Sequence, residues 1–242
     1  MGKSRDNLRV LLIQLRSHRD AEAQEVLCFL ERCRLRPEQL DTHNLIDRPR
    51  IIWEDVRDYD AVMVGGAGGH SATHQHPFTA SLAETVARLI DQDRPFFGSC
   101  WGHQFLATAF GGTVVADHEN EEVGTHPIEL TREGRRDPLF DGFPDRFTAQ
   151  LGHHDRIGVL PPDFVVLARS DRCPHQAIRL RDKPVYGSQF HSELTYLHIR
   201  DRLLMYADEY LPPNADPAWL DDILGPSEEA ERILDRFLEL YT

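Results

Sequence analysis

The sequence predicts an open α/β fold: a mostly parallel sheet with helices on both faces and a small antiparallel extension. Three observations carry this expectation. Short, nearly continuous apolar runs alternate with stretches of helical periodicity, which is the signature of βαβ units. Two of these runs, DAVMV and RPFFGS, stop abruptly at glycine-containing turns. The 242 residues are enough to bury a substantial core in one such domain.

The elements follow in order. Residues 8–15 read as a strand apolar on both faces, the type buried inside a parallel sheet. Residues 20–34 are helical, with Ala23, Val26, Leu27 and Leu30 on one stripe. Residues 39–46 form a weaker strand, and residues 60–64 (DAVMV) a strong one broken by Gly65 and Gly66. The stretch 77–92 is helical, with Leu82, Val86, Leu89 and Ile90 apolar. Residues 94–99 return to strand, and 101–110 form a helix stopped by Gly111 and Gly112. From 112 to 190 the chain changes to short strands with turn signals: IELT, RFTAQ, FVVLARS, QAIRL and VYGSQF. Helix resumes over 194–210, a breaker stretch spans 211–217, and a last amphipathic helix covers 227–240. No internal repeat or low-complexity linker divides the chain. One domain is expected over 1–242, with a core at 8–194 and a C-terminal helical extension at 195–242.

Composition narrows the function classes. A net charge of −13 disfavours nucleic acid and anionic membranes as partners. The N-terminal apolar run is short and contains Gln14, so no signal peptide is expected, and no stretch approaches the roughly 18 apolar residues of a membrane span. Asp6 stands where a myristoylation start needs Ser or Thr. Four cysteines (Cys28, Cys33, Cys100, Cys173) form no CxxC pair, so a reducing cytoplasm is the expected setting.

Gly98-Ser99-Cys100-Trp101-Gly102-His103-Gln104 is the most informative segment. A strand enters and a helix leaves, so Cys100 occupies a sharp turn above the carboxyl edge of the sheet, where open α/β sheets bind ligands. The positive end of the following helix favours an anionic sulfur there, and the Trp101 N–H faces the same space. The structural alternative is a buried packing cysteine. A second strand, at VYGSQF, ends in His191-Ser192-Glu193, where a histidine can take a thiol proton while a carboxylate orients it. The competing reading is a surface histidine in a turn.

Together these segments, GSCWGHQ and QFHSE, resemble the G-x-C-x-G-x-Q and F-H-P-E patterns of the class I glutamine amidotransferases. The resemblance implies a flavodoxin-like fold, Cys100 as nucleophile, His191 as base and Glu193 as the orienting acid. It implies an oxyanion hole from the Gly66 and Trp101 amides, through the likeness of AVMVGG to the family's strand-to-glycine segment. Gln104 would contact bound glutamine. Residues 152–155 (GHHD) and 172–177 (RCPHQA) are similar to the S-H-G-D and C-P-x-x-A segments of the GMP-synthetase glutaminase branch. They suggest His153, Asp155 and the amides around Gln176 as readers of the α-carboxylate and α-ammonium, with Cys173 a wall or packing residue. Two departures stand out: Ser192 replaces the usual proline, and Ala67 follows Gly66 where the family has proline.

The expected reaction is hydrolysis of glutamine or a γ-glutamyl amide through a thioester, without cofactor or metal. The enzyme would be free-standing or would serve a separate synthetase, because no synthetase domain lies in these residues. A homodimer is left open. A non-catalytic stress-response protein of the PfpI group is the alternative with the same architecture, but that group lacks the late histidine and glutamate. His70, His74 and His76 lie in one loop without an acidic or cysteine partner and read as a polar rim, not a metal site. GGAGG is followed by no GK[ST] and reads as no phosphate loop. Cys28 and Cys33 are expected to pack, and Glu119, Glu121 and Glu122 to form a solvated turn.

Overall fold

The computed structural model describes residues 5–211 and 218–242. The expected breaker stretch, apart from Leu211, therefore lies outside the described residues. The chain runs β1 (Val10–Gln14), α1 (Arg19–Arg32), β2 (Leu40–Asn44), α2 (Trp53–Val56), β3 (Ala61–Val64), α3 (Thr79–Asp91), β4 (Phe96–Ser99) and α4 (Trp101–Ala109). Then follow β5 (Thr113–Ala116), β6 (Glu122–Leu130), β7 (Arg146–His153), β8 (Asp155–Val159), β9 (Phe164–Arg169), β10 (Ala177–Leu180) and β11 (Val185–Ser188). The helices α5 (Tyr196–Met205), α6 (Ala207–Tyr210), α7 (Trp219–Ile223) and α8 (Ile233–Tyr241) complete it.

Nine strands form one sheet in the order β2-β1-β3-β4-β11-β10-β9-β6-β7. The first five run parallel, and β10, β9, β6 and β7 continue the sheet antiparallel. This is the flavodoxin-like α/β architecture expected, with the antiparallel extension running to four strands. A separate ribbon pairs β5 with β8, which the sequence reading did not single out.

Two-residue alternation along the central strands divides the core between the faces. Val10 and Leu12 of β1, Met63 of β3 and Phe97 of β4 join Phe29 of α1 and Leu234 and Phe237 of α8. Leu11, Ile13, Val62, Val64 and Phe96 face the other way, against Leu82 and Val86 of α3 and Phe105 and Leu106 of α4. That both faces are covered explains why these strands read as unbroken apolar runs. A third cluster joins Cys28 of α1 to Leu194, Ile199 and Leu203, so α5 packs over α1 beside the site. The helix expected over 194–210 is interrupted at Tyr206, which has φ −116° and ψ 38°.

Candidate active site

Four strand ends build the site. β4 delivers Cys100, which takes φ +50° and ψ −97°, a conformation a side chain rarely adopts. Its N–H donates to Ser188 O at the end of β11 (2.8 Å), and its carbonyl accepts from Gln104 N (3.1 Å). Those bonds hold the strained turn between β11 and the first turn of α4. The flanking glycines make room for the helix. A Cβ on Gly98 would lie 2.4 Å from the Gly102 backbone, and one on Gly102 would lie 2.6 Å from Val64 O.

β11 leads to His191, whose N–H donates to Gln150 O of β7 (2.9 Å). His191 Nδ1 and Glu193 Oε1 are 2.6 Å apart, and Ser99 Oγ donates to the other carboxylate oxygen at 2.8 Å. Glu193 is fully buried. Burial by itself would lower the histidine, but Glu193 and the Cys100 sulfur outweigh it and hold His191 up, at about 9. Burial would likewise raise Glu193, but His191 draws its carboxyl down to about 2. The pair is therefore arranged as imidazolium and carboxylate, facing the sulfur. Gln189 Nε2 also approaches Cys100 Sγ, at 3.7 Å.

Gly66 closes this group from the β3 side. The point a Cβ on Gly66 would occupy is 3.2 Å from His191 Cε1 and 3.7 Å from Cys100 Cβ. Trp101 is the first residue of α4, so its N–H has no acceptor within the helix. Its indole stacks on Phe105 and meets Phe78 edge-on. Both amides thus lie in the segments expected to hold an oxyanion.

A pocket of about 270 Å³ opens over Cys100 and is lined by Trp101, Gln104, His153 and Asp155, among others. Gln104 Nε2 donates to Asp155 O (2.7 Å) and to Gln189 Oε1 (3.0 Å). His153 sits between Asp155 O (3.0 Å) and Glu122 Oε2 (3.2 Å). The Asp155 carboxylate accepts from Ser71 Oγ in the loop above.

Gln176 is not brought to this pocket. It is buried and donates to Glu122 Oε2 (2.7 Å), so it acts through Glu122 on His153. That arrangement corrects the solvated-turn expectation. Glu122 opens β6 opposite His153 and is buried, and Glu121 bonds His154 at 2.7 Å. Burial would raise Glu122, but His153 holds it below the usual carboxylate range.

The three loop histidines diverge: His70 meets Ser17 Oγ, His74 meets Thr73 and His76 meets Ser71 O. Among the described residues, His118, Glu121 and His154 at the pocket rim are the three ligand-type side chains that converge. Cys28, Cys33 and Cys173 are buried, and burial pushes each thiol up.

Sequence reasoning missed Ser99, Gln189, Arg16 and Tyr210. Ser99 and Gln189 adjoin the two motifs, and Arg16 follows β1 at the same carboxyl edge as Cys100, so the strand-end rule could have flagged it. Tyr210 reaches the pocket only through the turn between α5 and α6.

Comparison with known proteins supports the same reading. The family model for class I glutamine amidotransferases matches residues 30–204. The glutamine-hydrolyzing subunit of GMP synthase from Methanopyrus kandleri is 37% identical over 146 residues, 59% of this chain and 72% of that protein. The glutamine-hydrolyzing GMP synthase of Thermosipho africanus is 36% identical over 153 residues, but these are only 28% of its length. The crystal structure of a glutamine amidotransferase from Thermotoga maritima shares the fold, with a TM-score of 0.77 at 21% identity over 97% of both chains. The family model spans the nucleophile elbow, the histidine strand and the oxyanion segment alike, and the chain is a member of the class I glutamine amidotransferase family.

Proposed function

We propose that this protein hydrolyses the carboxamide of glutamine, or of a γ-glutamyl amide, through a γ-glutamyl thioester on Cys100. The observation that carries the reading is the chain Cys100–His191–Glu193–Ser99 at the floor of the pocket. The sulfur attacks the amide carbon while the Gly66 and Trp101 N–H groups receive the developing oxyanion. His191 gives its proton to the nitrogen as the C–N bond breaks. Water then loses a proton to His191 and attacks the thioester, which releases glutamate and restores the thiol. Gln104, His153 and Asp155 line the pocket that receives the glutamyl end.

Both GMP synthase relatives carry glutamine hydrolysis in their names, and the first is named as one subunit of its enzyme. These names support glutamine as a substrate and a separate synthetase as user of the ammonia. Four free cysteines, three of them buried, support a reducing cytoplasmic setting. No helix among the described residues is long and apolar enough to cross a membrane.

The test is ammonia and glutamate release from glutamine and a panel of γ-glutamyl amides by the purified protein, with Cys100→Ala as control. Loss of the nucleophile is expected to remove on the order of 10⁶-fold in kcat. Turnover that persists in Cys100→Ala would sink the reading. A silent wild-type protein whose Cys100 is alkylated rapidly by a glutamine-like electrophile would mean a glutaminase that waits for its synthetase.

A further inference from the structure

On the His191 side of Cys100 lies a second cavity, of about 20 Å³, bordered by Arg16, Gly66, Cys100, His191, Arg202 and Tyr206. Arg16 and Arg202 are almost wholly buried, 2% and 4% exposed. Glu25 neutralises Arg16 by accepting from its Nε (3.1 Å) and Nη2 (2.7 Å). Arg202 has no such carboxylate. Its Nε donates to the neutral Gln24 Oε1 at 2.6 Å, and among the described residues neither Nη1 nor Nη2 finds an acceptor. The Tyr206 hydroxyl is equally unpartnered. Burial, and then the neighbouring Arg16, push the Arg202 guanidinium down. A buried guanidinium edge is costly to leave unpaired, so this cavity calls for an acceptor that the protein itself does not supply.

The chemistry of that acceptor follows from the lining. Two guanidiniums against one Glu25 select an anion, and a planar N–H fork suits a carboxylate. Its place in the reaction follows from position. Arg16 Nη2, His191 Cε1 and Cys100 Cβ lie 2.9, 3.2 and 3.7 Å from the point a Cβ on Gly66 would occupy. The cavity thus adjoins the nucleophile beside the acid that protonates the departing nitrogen. Gln104, His153 and Asp155 border the other pocket, where the glutamyl half would sit.

We infer that the Arg16–Arg202 cavity receives a carboxylate carried by the leaving amine, so that preferred substrates are γ-glutamyl amides of amino acids. The inference rests on the hydrolase reading of Cys100. The C–S bond forms as the C–N bond breaks, His191 gives its proton to the amine nitrogen, and the freed amino acid leaves with its carboxylate on Arg202. As closed, the cavity holds one water-sized occupant. Tyr206 divides it from an outer pocket of about 350 Å³ bordered by Ser17, His18 and His70. No acceptor or donor holds the Tyr206 hydroxyl among the described residues, so rotation of that ring opens the space a carboxylate needs.

The test compares γ-glutamylglycine with γ-glutamylglycinamide, which differ only in carboxylate against carboxamide. In the wild-type protein kcat/KM is expected to favour the carboxylate by about tenfold or more, the effect of a charge-assisted pair. The ratio should collapse towards one in Arg202→Gln and recover in part in Arg202→Lys. Equal kcat/KM values in the wild type overturn the inference, as does a ratio that Arg202→Gln leaves intact. Calorimetric binding of the same two compounds to the Cys100→Ala protein tests the cavity apart from turnover, and requires no change to Arg202. Tighter binding of the carboxylate there, with no turnover by the wild type, would keep the subsite and discard the hydrolase reading. Equal dissociation constants would mean a cavity filled by water or a free inorganic anion, and would overturn the subsite.

Discussion

At His191 burial and charge act in opposite directions, and charge prevails. Burial alone favours the neutral ring, yet Glu193 at 2.6 Å and the Cys100 sulfur hold it protonated to about pH 9. The proton is needed for the leaving amine, so the alkaline limb of kcat/KM belongs near that pH. Glu193→Gln removes the charge that raises it. The limb should then move down towards the ordinary histidine value of 6.5, with kcat reduced about 10²- to 10⁴-fold. A pH–rate profile of both proteins checks this, and a limb that stays near 9 in the variant would refute the role given to Glu193. Stability follows with the same signs. The raised histidine contributes fully below 6.5 and loses its contribution as pH rises through about 9. The depressed Glu193 contributes fully above 4.5 and loses its contribution as pH falls through about 2. Cys100, His191 and Glu193 were legible in the sequence because each sits in a short motif at a strand end. Arg202 and Glu122 were not, since a charged residue on a helix or after an acidic turn reads as solvated until tertiary packing buries it.

The element that matters most is the elbow from β4 to α4. Strand and helix can approach this closely only because residues 98 and 102 have no side chain. Gly98→Ala would drive a methyl into the Gly102 carbonyl at 2.4 Å, against backbone that cannot give way. We expect it to cost about 3 kcal/mol or more in urea denaturation, with activity lost. Gly69→Ala is the control: nothing lies within 4 Å of its new methyl, and its stability should stay within about 0.5 kcal/mol of wild type. Equal effects at the two positions would refute the packing account. The strands of the parallel half were legible because both their faces are covered, which leaves an unbroken apolar run. The β5–β8 ribbon was not, because β5 is largely exposed and mixes polar with apolar residues without a clear period. The break at Tyr206 escaped notice as well, since no glycine or proline marks it in the sequence.

At the scale of the whole molecule, the question is whether residues 195–242 are an appendage or part of the fold. Their first helix covers the site, because Ile199 and Leu203 of α5 pack with Cys28 and Leu194 next to Arg202. Their last helix closes one face of the sheet. Phe237 of α8 is fully buried, with its ring 5.4 Å from Phe97 of β4 and 5.9 Å from Tyr186 of β11. The Tyr186 hydroxyl meets Tyr241 at 2.6 Å and donates to Asp137 at 3.0 Å. β4 and β11 are the strands that carry Cys100 and His191, so α8 supports from behind the two strands that set the catalytic geometry. Phe237→Ala should therefore cost about 3–5 kcal/mol in a denaturation midpoint. Removal of residues 227–242 should leave Phe97 and Tyr186 facing water and the shortened chain unable to fold cooperatively. A truncated chain that melts cooperatively and still releases ammonia from glutamine would show the extension to be dispensable. The loss of both properties together would tie the C-terminal helix to the catalytic strands.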